Sequence, residues 1–216
     1  MSSGESKLVF VFTSDLAGLV RGKSFPVSEW EKRSVRGVGW TPTNVQITCF
    51  DTIADSPFGS LGDLALVPDT ATRFQMGSAG NALDVALGDI RSLEGEPWDF
   101  CTRSLAKRAL EQLRELSGAT VLSAFEHEFQ LKDAAVRAGD SFGLKGFRDG
   151  QAWAEALIAE LDRTSCKPDT FMKEYGPSQY EITNKPATGI TSADNAVILR
   201  LLTDDVLRRF GVGSSF

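Results

Sequence analysis

The sequence predicts an α+β protein of two successive parts, and three observations carry that reading. Short apolar strands alternate with turns as far as residue 93, a polar break containing a proline follows at "EGEPWDFC" (94–101), and helical periodicities joined to extended segments fill the rest. The boundary is placed at 97/98, giving domains of 1–97 and 98–216. With 216 residues and 42% hydrophobic content, the chain can bury a core in each.

Taken in order, "KLVFVFTSD" (7–15) is a strand ending at Asp15, and "LAGLVRGKSFP" (16–26) reads as a turn. "VSEWEKRSVRG" (27–37) is a short helical stretch and "NVQITCFD" (44–51) a strand. "LGDLALVPDTATR" (61–73) adds a strand closed by Pro68 and Asp69, and the Gly-rich "MGSAGNALDVALGD" (76–89) reads as loop and edge hairpin. In "TRSLAKRALEQLRELSG" (102–118), Leu105, Ala109, Leu110, Leu113 and Leu116 fall on one helical face, with Thr102 as N-cap and Gly118 as stop. "ATVLSAFEHEFQLKD" (119–133) is extended. "DGQAWAEALIAELDRT" (149–164) is a helix with Trp153, Leu157, Ile158 and Leu161 apolar and Asp149 as cap. "TSADNAVILRLLTDDVLRRFG" (191–211) is another, capped by Ser192 and stopped at Gly211, and "GVGSSF" begins a further strand.

The 29 acidic and 23 basic side chains leave a net charge of -6 with no block of like charge, which argues against a nucleic-acid or anionic-membrane partner. "LVFVF" (8–12), the longest apolar run near the N-terminus, is too short for a signal or membrane segment, so a soluble cytoplasmic protein is expected. Cys49, Cys101 and Cys166 form no CxxC pair, and reduced thiols are expected.

The chemistry lies in the carboxylates. On a strand at 124–131, Ala124, Glu126, Glu128 and Gln130 share one side, and Phe125, His127, Phe129 and Leu131 share the packed side. Two carboxylates two residues apart on one face are roughly 6 to 7 Å apart, so they repel unless solvent or a cation intervenes. Both a solvated face and a cation site remain open for this pair. "MKEYGPSQYEIT" (172–183) holds a second pair, Glu174 and Glu181, on either side of a bend at Gly176 to Ser178 that resets the register. The bend can turn both toward a common point, with Gln179 on the side of Glu181. Four converging glutamates suit Mg²⁺ or Mn²⁺ and a phosphate-bearing substrate, and an acidic turn in solvent is the competing explanation. By parity His127 packs among aromatics and Lys173 points away from the acidic face.

"FEHEF", "EYGPSQYEI" followed by "ADNAVILR", and "DLAGLVRGKSFP" with "GDLALVPDTAT", in this order and spacing, resemble the glutamine synthetase family over essentially the whole chain. The resemblance is stronger to the branch that includes γ-glutamyl-polyamine and related γ-glutamyl-amine ligases. It implies an N-terminal β-grasp domain followed by the first part of a catalytic domain with a curved antiparallel sheet and flanking helices. It also implies homo-oligomeric rings with active sites between neighbouring subunits. Residue by residue, it implies that Glu128, Glu174 and Glu181 ligate one divalent cation and Glu126 a second, nearer the nucleotide phosphates. Asp51 in "CFD" matches the aspartate that takes a proton from the ammonium or amine at an adjacent subunit's site; for the residue by itself, turn capping is the alternative. Arg21 and Lys23 match a family segment and are read as loop and subunit-contact residues. The implied reaction is ATP-dependent joining of ammonium or a small amine to the γ-carboxylate of glutamate through γ-glutamyl phosphate.

The chain departs from the family pattern in four places. "TIADSPFGS" replaces the Gly-Ser-Ser run after Asp51, Ser178 stands where glycine is usual, and Lys173 stands where many relatives have histidine. If the bend needs a positive φ, Ser178 is strained. The sequence also stops at Phe216, before the segment that supplies a histidine ligand, the nucleotide contacts and the substrate-gripping arginines. The expectation is therefore an incomplete N-terminal portion, inactive alone and poorly soluble through an unpaired sheet edge. The alternative is a non-catalytic metal-binding or subunit-interaction module.

Overall fold

In the computed structural model, which describes residues 6–56, 58–59, 62–77, 80–132 and 139–216, the apolar N-terminal run forms β1 (Leu8–Ser14), with Val9, Val11 and Phe12 wholly buried. It pairs antiparallel with β2 (Val20–Pro26), from Leu8 opposite Pro26 to Ser14 opposite Val20. The segment read as a turn at 16–26 is thus mostly strand. The Asp15 carboxylate closes the hairpin tightly by accepting the amides of Ala17 and Leu19 at 2.9 and 2.8 Å, which frees the rest to pair.

A 3₁₀ turn and α1 (Trp30–Arg36) follow, stopped by Gly37 at φ +69°, and lead to β3 (Val38–Trp40). The strand expected at 44–51 is instead a 3₁₀ turn (Pro42–Val45) and a loop that carries an isolated bridge between Ile47 and Ile53. Local bonds win there: the Thr48 hydroxyl accepts the amides of Phe50 and Thr52, and Asp51 sits at φ +56°. β4 (Leu64–Pro68), β5 (Phe74–Met76) and β6 (Leu83–Arg91) complete the sheet. The Gly-rich segment joins β5 to β6 as an antiparallel hairpin, as expected, but β6 is not at the sheet edge. Ser78 and Ala79 lie outside the described residues, but β6 is central, parallel to β1 and antiparallel to β4 and β5. Its side chains from Val85 to Ile90 are buried. At Gly88 a Cβ would come within 2.9 Å of the Val67 carbonyl, so the glycine permits the close strand approach. The order β2-β1-β6-β4-β3 is that of a β-grasp unit.

α2 (Thr102–Ser117) belongs to the first of two compact units, Met1–Ala119 and Thr120–Phe216, although the sequence boundary at 97/98 precedes it. Its N-cap is Cys101, whose Sγ accepts from the Ser104 amide, because the Thr102 hydroxyl is engaged by the Ser14 carbonyl at 2.8 Å. Gly118 ends it at φ +71°. The leucine stripe is exposed at Leu105, Leu113 and Leu116, and the buried side carries Arg103. That guanidinium donates to Asp89 at 2.9 Å and Asp69 at 2.8 Å, and Lys107 reaches Asp89 at 2.6 Å. Burial pushes the Asp69 carboxyl up, but bonds and charge from Arg103 outweigh it and leave the group below its ordinary range.

The second unit contains β7 (Leu122–Ser123), β8 (Glu126–Lys132), α3 (Leu144–Leu161), β9 (Pro168–Lys173), β10 (Gln179–Asn184), β11 (Ala187–Thr188), α4 (Ile190–Arg209) and β12 (Gly213–Ser215). Its main sheet is antiparallel in the order β12-β8-β10-β9, and β11 pairs with β7. The extended stretch at 119–133 is split at Ala124 and Phe125, where the buried Asn184 side chain accepts the Phe125 amide at 3.1 Å. α3 starts at Leu144 behind Gly143, leaving Asp149 inside the helix, and α4 starts at Ile190 behind Gly189. Ser192 is not a cap: its hydroxyl donates to the Ser123 carbonyl at 2.8 Å. Gly211 follows α4 at φ +72°.

One sheet face packs Phe129, Tyr180 and Phe171 against Trp153 of α3, with ring centroids 5.0 to 5.8 Å from the tryptophan. His127 lies on this side between Phe125 and Phe216, and burial, then the charge of Arg200, holds its pKa below the ordinary value. All three cysteines are free, and burial pushes the Cys166 thiol up to about 12. Among the described residues no helix is long and apolar enough to cross a membrane.

Replacing Arg103 by Met removes the guanidinium shared by Asp69 and Asp89 and leaves them the half-buried Lys107 ammonium. Urea unfolding of Arg103→Met should show a loss of about 3 kcal/mol, and a loss within error would mean that the ion-pair cluster does not anchor α2.

Candidate functional site

The β8–β10 ladder sets Glu128 opposite Glu181, Glu126 opposite Thr183 and Gln130 opposite Gln179. Alternation along β8 is as the sequence predicts: Glu126, Glu128 and Gln130 are exposed, and Phe129 between them is buried. Directly opposed residues have Cβ atoms about 5 Å apart, so the Glu128 and Glu181 carboxylates are forced into proximity. Glu174 follows β9, its amide donating to the Gln179 carbonyl at 3.0 Å. Glu174 and Glu181 are only 7% and 9% exposed.

Glu181 registers the crowding. Its pKa is raised first by burial, then by the charges of Glu126 and Glu174, a hydrogen bond shared with Glu174, and the charge of Glu128. Every charge acting on it is another carboxylate. The two sequence pairs therefore do face one region, and a solvated sheet face does not describe Glu181.

The donor set fits a hard divalent cation in its chemistry, being all carboxylate oxygen with unrelieved negative charge. Its side chains are not gathered into a ligating cluster: among the described residues no three His, Cys, Asp or Glu groups are placed to hold one ion. Other partners engage them. Gln179 Nε2 donates to Glu128 Oε2 at 2.5 Å, and the Tyr175 amide donates to Glu174 Oε2 at 3.2 Å.

The bend between β9 and β10 is the local device that brings Glu174 and Glu181 to the same side. Ser178 adopts φ +49°, the left-handed conformation in which a glycine carries no penalty. Lys173 points to the other face, as parity predicts, and is buried there. Gln179 and Asn184 are the residues that sequence reasoning underused: one braces Glu128, and the other holds the entry to β8. A polar side chain on a strand with both faces covered was their only signal.

Asp51 belongs to the first unit, in an exposed turn where its amide donates to the Thr48 carbonyl at 3.1 Å. Among the described residues its carboxylate caps no turn amide, and it accepts from Arg21 at 2.7 Å. Arg21 also donates to Asp15 at 3.0 Å, and bonds from Asp15 and then Asp51 raise its pKa. Arg21 and Lys23 are on β2, not in a loop, and the Lys23 ammonium bonds the Gly39 carbonyl at 2.5 Å.

Residues 3–98 match the glutamine synthetase N-terminal domain, and residues 99–216 match the glutamine synthetase catalytic domain. The chain belongs to the glutamine synthetase family. It is 27% identical to lengsin of Canis lupus familiaris, an alignment covering 100% of this chain and 39% of that protein. It is 29% identical to gamma-glutamylpolyamine synthetase GlnA3 of Streptomyces coelicolor, over 94% of this chain and 45% of that one. The crystal structure of a novel glutamine synthase homolog superposes with a TM-score of 0.91 at 38% identity, over 98% of this chain and 51% of the other. The chain spans less than half the length of these two curated relatives. In this glutamine synthetase family member the four glutamates fall in the catalytic-domain match and Asp51 in the N-terminal-domain match.

Two predictions follow from the strained, acidic geometry. Because the Glu181 pKa is raised in the folded state, folding stability falls as pH rises from the ordinary value of 4.5 through the raised value. In metal-free buffer Glu181→Gln should melt higher than wild type at neutral pH, and the gap should close as pH drops toward 4.5; an equal or lower melting point at neutral pH would contradict the crowding. Ser178→Gly should stabilise the second unit by about 1 kcal/mol in urea unfolding, whereas destabilisation would show that the left-handed serine is unstrained.

Proposed function

We propose that this chain forms the N-terminal part of an ATP-dependent ligase that joins ammonium or a small amine to the γ-carboxylate of glutamate through γ-glutamyl phosphate. The observation that carries the proposal is Glu181, buried opposite Glu128 and perturbed by Glu126, Glu174 and Glu128. Glu128, Glu174 and Glu181 would hold one Mg²⁺ or Mn²⁺, and Glu126 a second. Bound cations offset the repulsion between phosphate and carboxylate oxygens and orient an in-line transfer.

The chain's own groups have definable tasks. The glutamates hold negative charge at fixed positions on a rigid ladder, and Gln179 orients Glu128. Asp51 takes a proton from the ammonium form of the acceptor, so that a neutral amine attacks the acyl carbon and phosphate leaves. The family membership and the ligases among its relatives support this assignment. Homo-oligomeric rings, in which Asp51 serves a neighbouring subunit, belong to the same proposal.

A non-catalytic metal-binding or subunit-interaction module is the second reading, favoured by the Gln179–Glu128 bond and by carboxylates not yet gathered around one point. The test uses the protein as its gene produces it. Glu128→Gln should lower ADP release that depends on glutamate and amine by at least about 10²-fold. Undiminished turnover would exclude the metal assignment. Saturable Mn²⁺ binding that Glu174→Ala abolishes, in a wild type that releases no ADP with any amine, would favour the second reading.

A further inference from the structure

We propose that Lys173 is a positioning residue for the glutamate cluster, its buried ammonium locking the 174–178 bend from the opposite side of the sheet; the inference rests on the cation-binding role of the glutamates given above. Lysine is among the residues least often buried, since desolvating an ammonium is costly unless it is well bonded. Lys173 is only 4% exposed. Its Nζ donates to the carbonyls of Glu174 and Gly176, at 2.5 and 2.8 Å. Both acceptors belong to the bend, and neither is a carboxylate.

The side chain is itself tightly placed. Its Nζ lies 5.8 Å from the centroid of the Tyr180 ring, and its Cγ lies against Gly146, where any Cβ would approach to 2.7 Å. The Tyr180 hydroxyl donates to the Gly146 carbonyl at 3.1 Å, fixing that wall. The lysine thus sits in a preformed slot between α3 and β10, with its charged end under the bend.

From that end, hydrogen bonds run to two of the glutamates. Glu174 is held at both peptide groups, its amide on the Gln179 carbonyl and its own carbonyl on Lys173, which leaves its side chain directed at Glu181. The Gly176 carbonyl accepts both Lys173 Nζ and the Gln179 amide, and the Gly176 amide donates to Gln179 Oε1 at 2.8 Å. Gln179 Nε2 then donates to Glu128. One ammonium therefore anchors the backbone that aims Glu174 and the amide that aims Glu128. The left-handed Ser178 explains the need for an anchor, because a strained bend relaxes when its clamp is removed.

The test measures Mn²⁺ affinity by electron paramagnetic resonance on the full gene product, in wild-type and Ser178→Gly backgrounds. Lys173→Met keeps the stem and removes the charge and donors; it should weaken Mn²⁺ binding at least about tenfold while the circular dichroism spectrum remains that of a folded protein. Lys173→Arg, which keeps the charge and donors, should bind within about threefold of its parent by the same standard. Unchanged affinity in folded Lys173→Met overturns the inference, as does failure of that variant to fold in either background, which would make Lys173 a folding determinant. If wild type shows no saturable Mn²⁺ binding, or if Glu181→Gln leaves binding intact, the cation reading itself fails and takes the inference with it.

Discussion

The register of β8 against β10 is the constraint on which the second unit depends. Side chains alternate with a period of two, so pairing Glu128 with Glu181 also pairs Phe129 with Tyr180 on the opposite face. The two consequences cannot be separated. Phe129, Tyr180, Phe171 and Trp153 assemble a stacked and edge-to-face aromatic layer, and burying each large side chain contributes about 1.5–3 kcal/mol. A one-residue slip would lose that layer and expose it to water. The carboxylates are held together because the aromatics on the other side do not allow the ladder to move.

The Asp69–Asp89 cluster of the first unit and the Glu181 cluster of the second handle charge in opposite ways. In the first, Asp69 and Asp89 meet Arg103 and Lys107, and the cluster neutralises itself and ties α2 to the sheet. In the second, the charges acting on Glu181 are all of its own sign. An ion-pair cluster of the first kind is explained by folding. An acidic cluster of the second kind opposes folding in the absence of a compensating cation. The cation nearest to it in sequence, Lys173, is spent on backbone carbonyls and not on carboxylates, which leaves the negative charge available.

The bend between β9 and β10 joins these themes. It has to turn the chain within a few residues and keep Glu174 on the same side as Glu181. It does so with a non-glycine residue at positive φ and with bonds from Lys173, Gly176 and Gln179. Strain and its compensation are adjacent in the chain.

Much of this was legible in the sequence because it depends on local periodicity. The alternation of Glu126, His127, Glu128 and Phe129, the helical face containing Trp153, Leu157 and Leu161, the Gly118 and Gly211 stops and the parity of Lys173 all follow from backbone geometry within a few residues. What failed was pairing. VRGKSFP looked like a turn and is a strand because β1 offers it a partner; NVQITCFD looked like a strand and is a loop because the Thr48 hydroxyl satisfies its amides first; the stretch from Leu83 looked like an edge and is central because β1, β4 and β5 all pair with it. Asp51 likewise exchanged a capping role for an ion pair with Arg21, far away in sequence. The sequence by itself determined which side chains share a face and that four glutamates exist to be gathered. Only the tertiary structure decided which strands meet, and hence that Glu181 faces Glu128 and that Lys173 reaches the bend, because hydrogen-bond partners and burial arise from contacts between distant segments that no local pattern encodes.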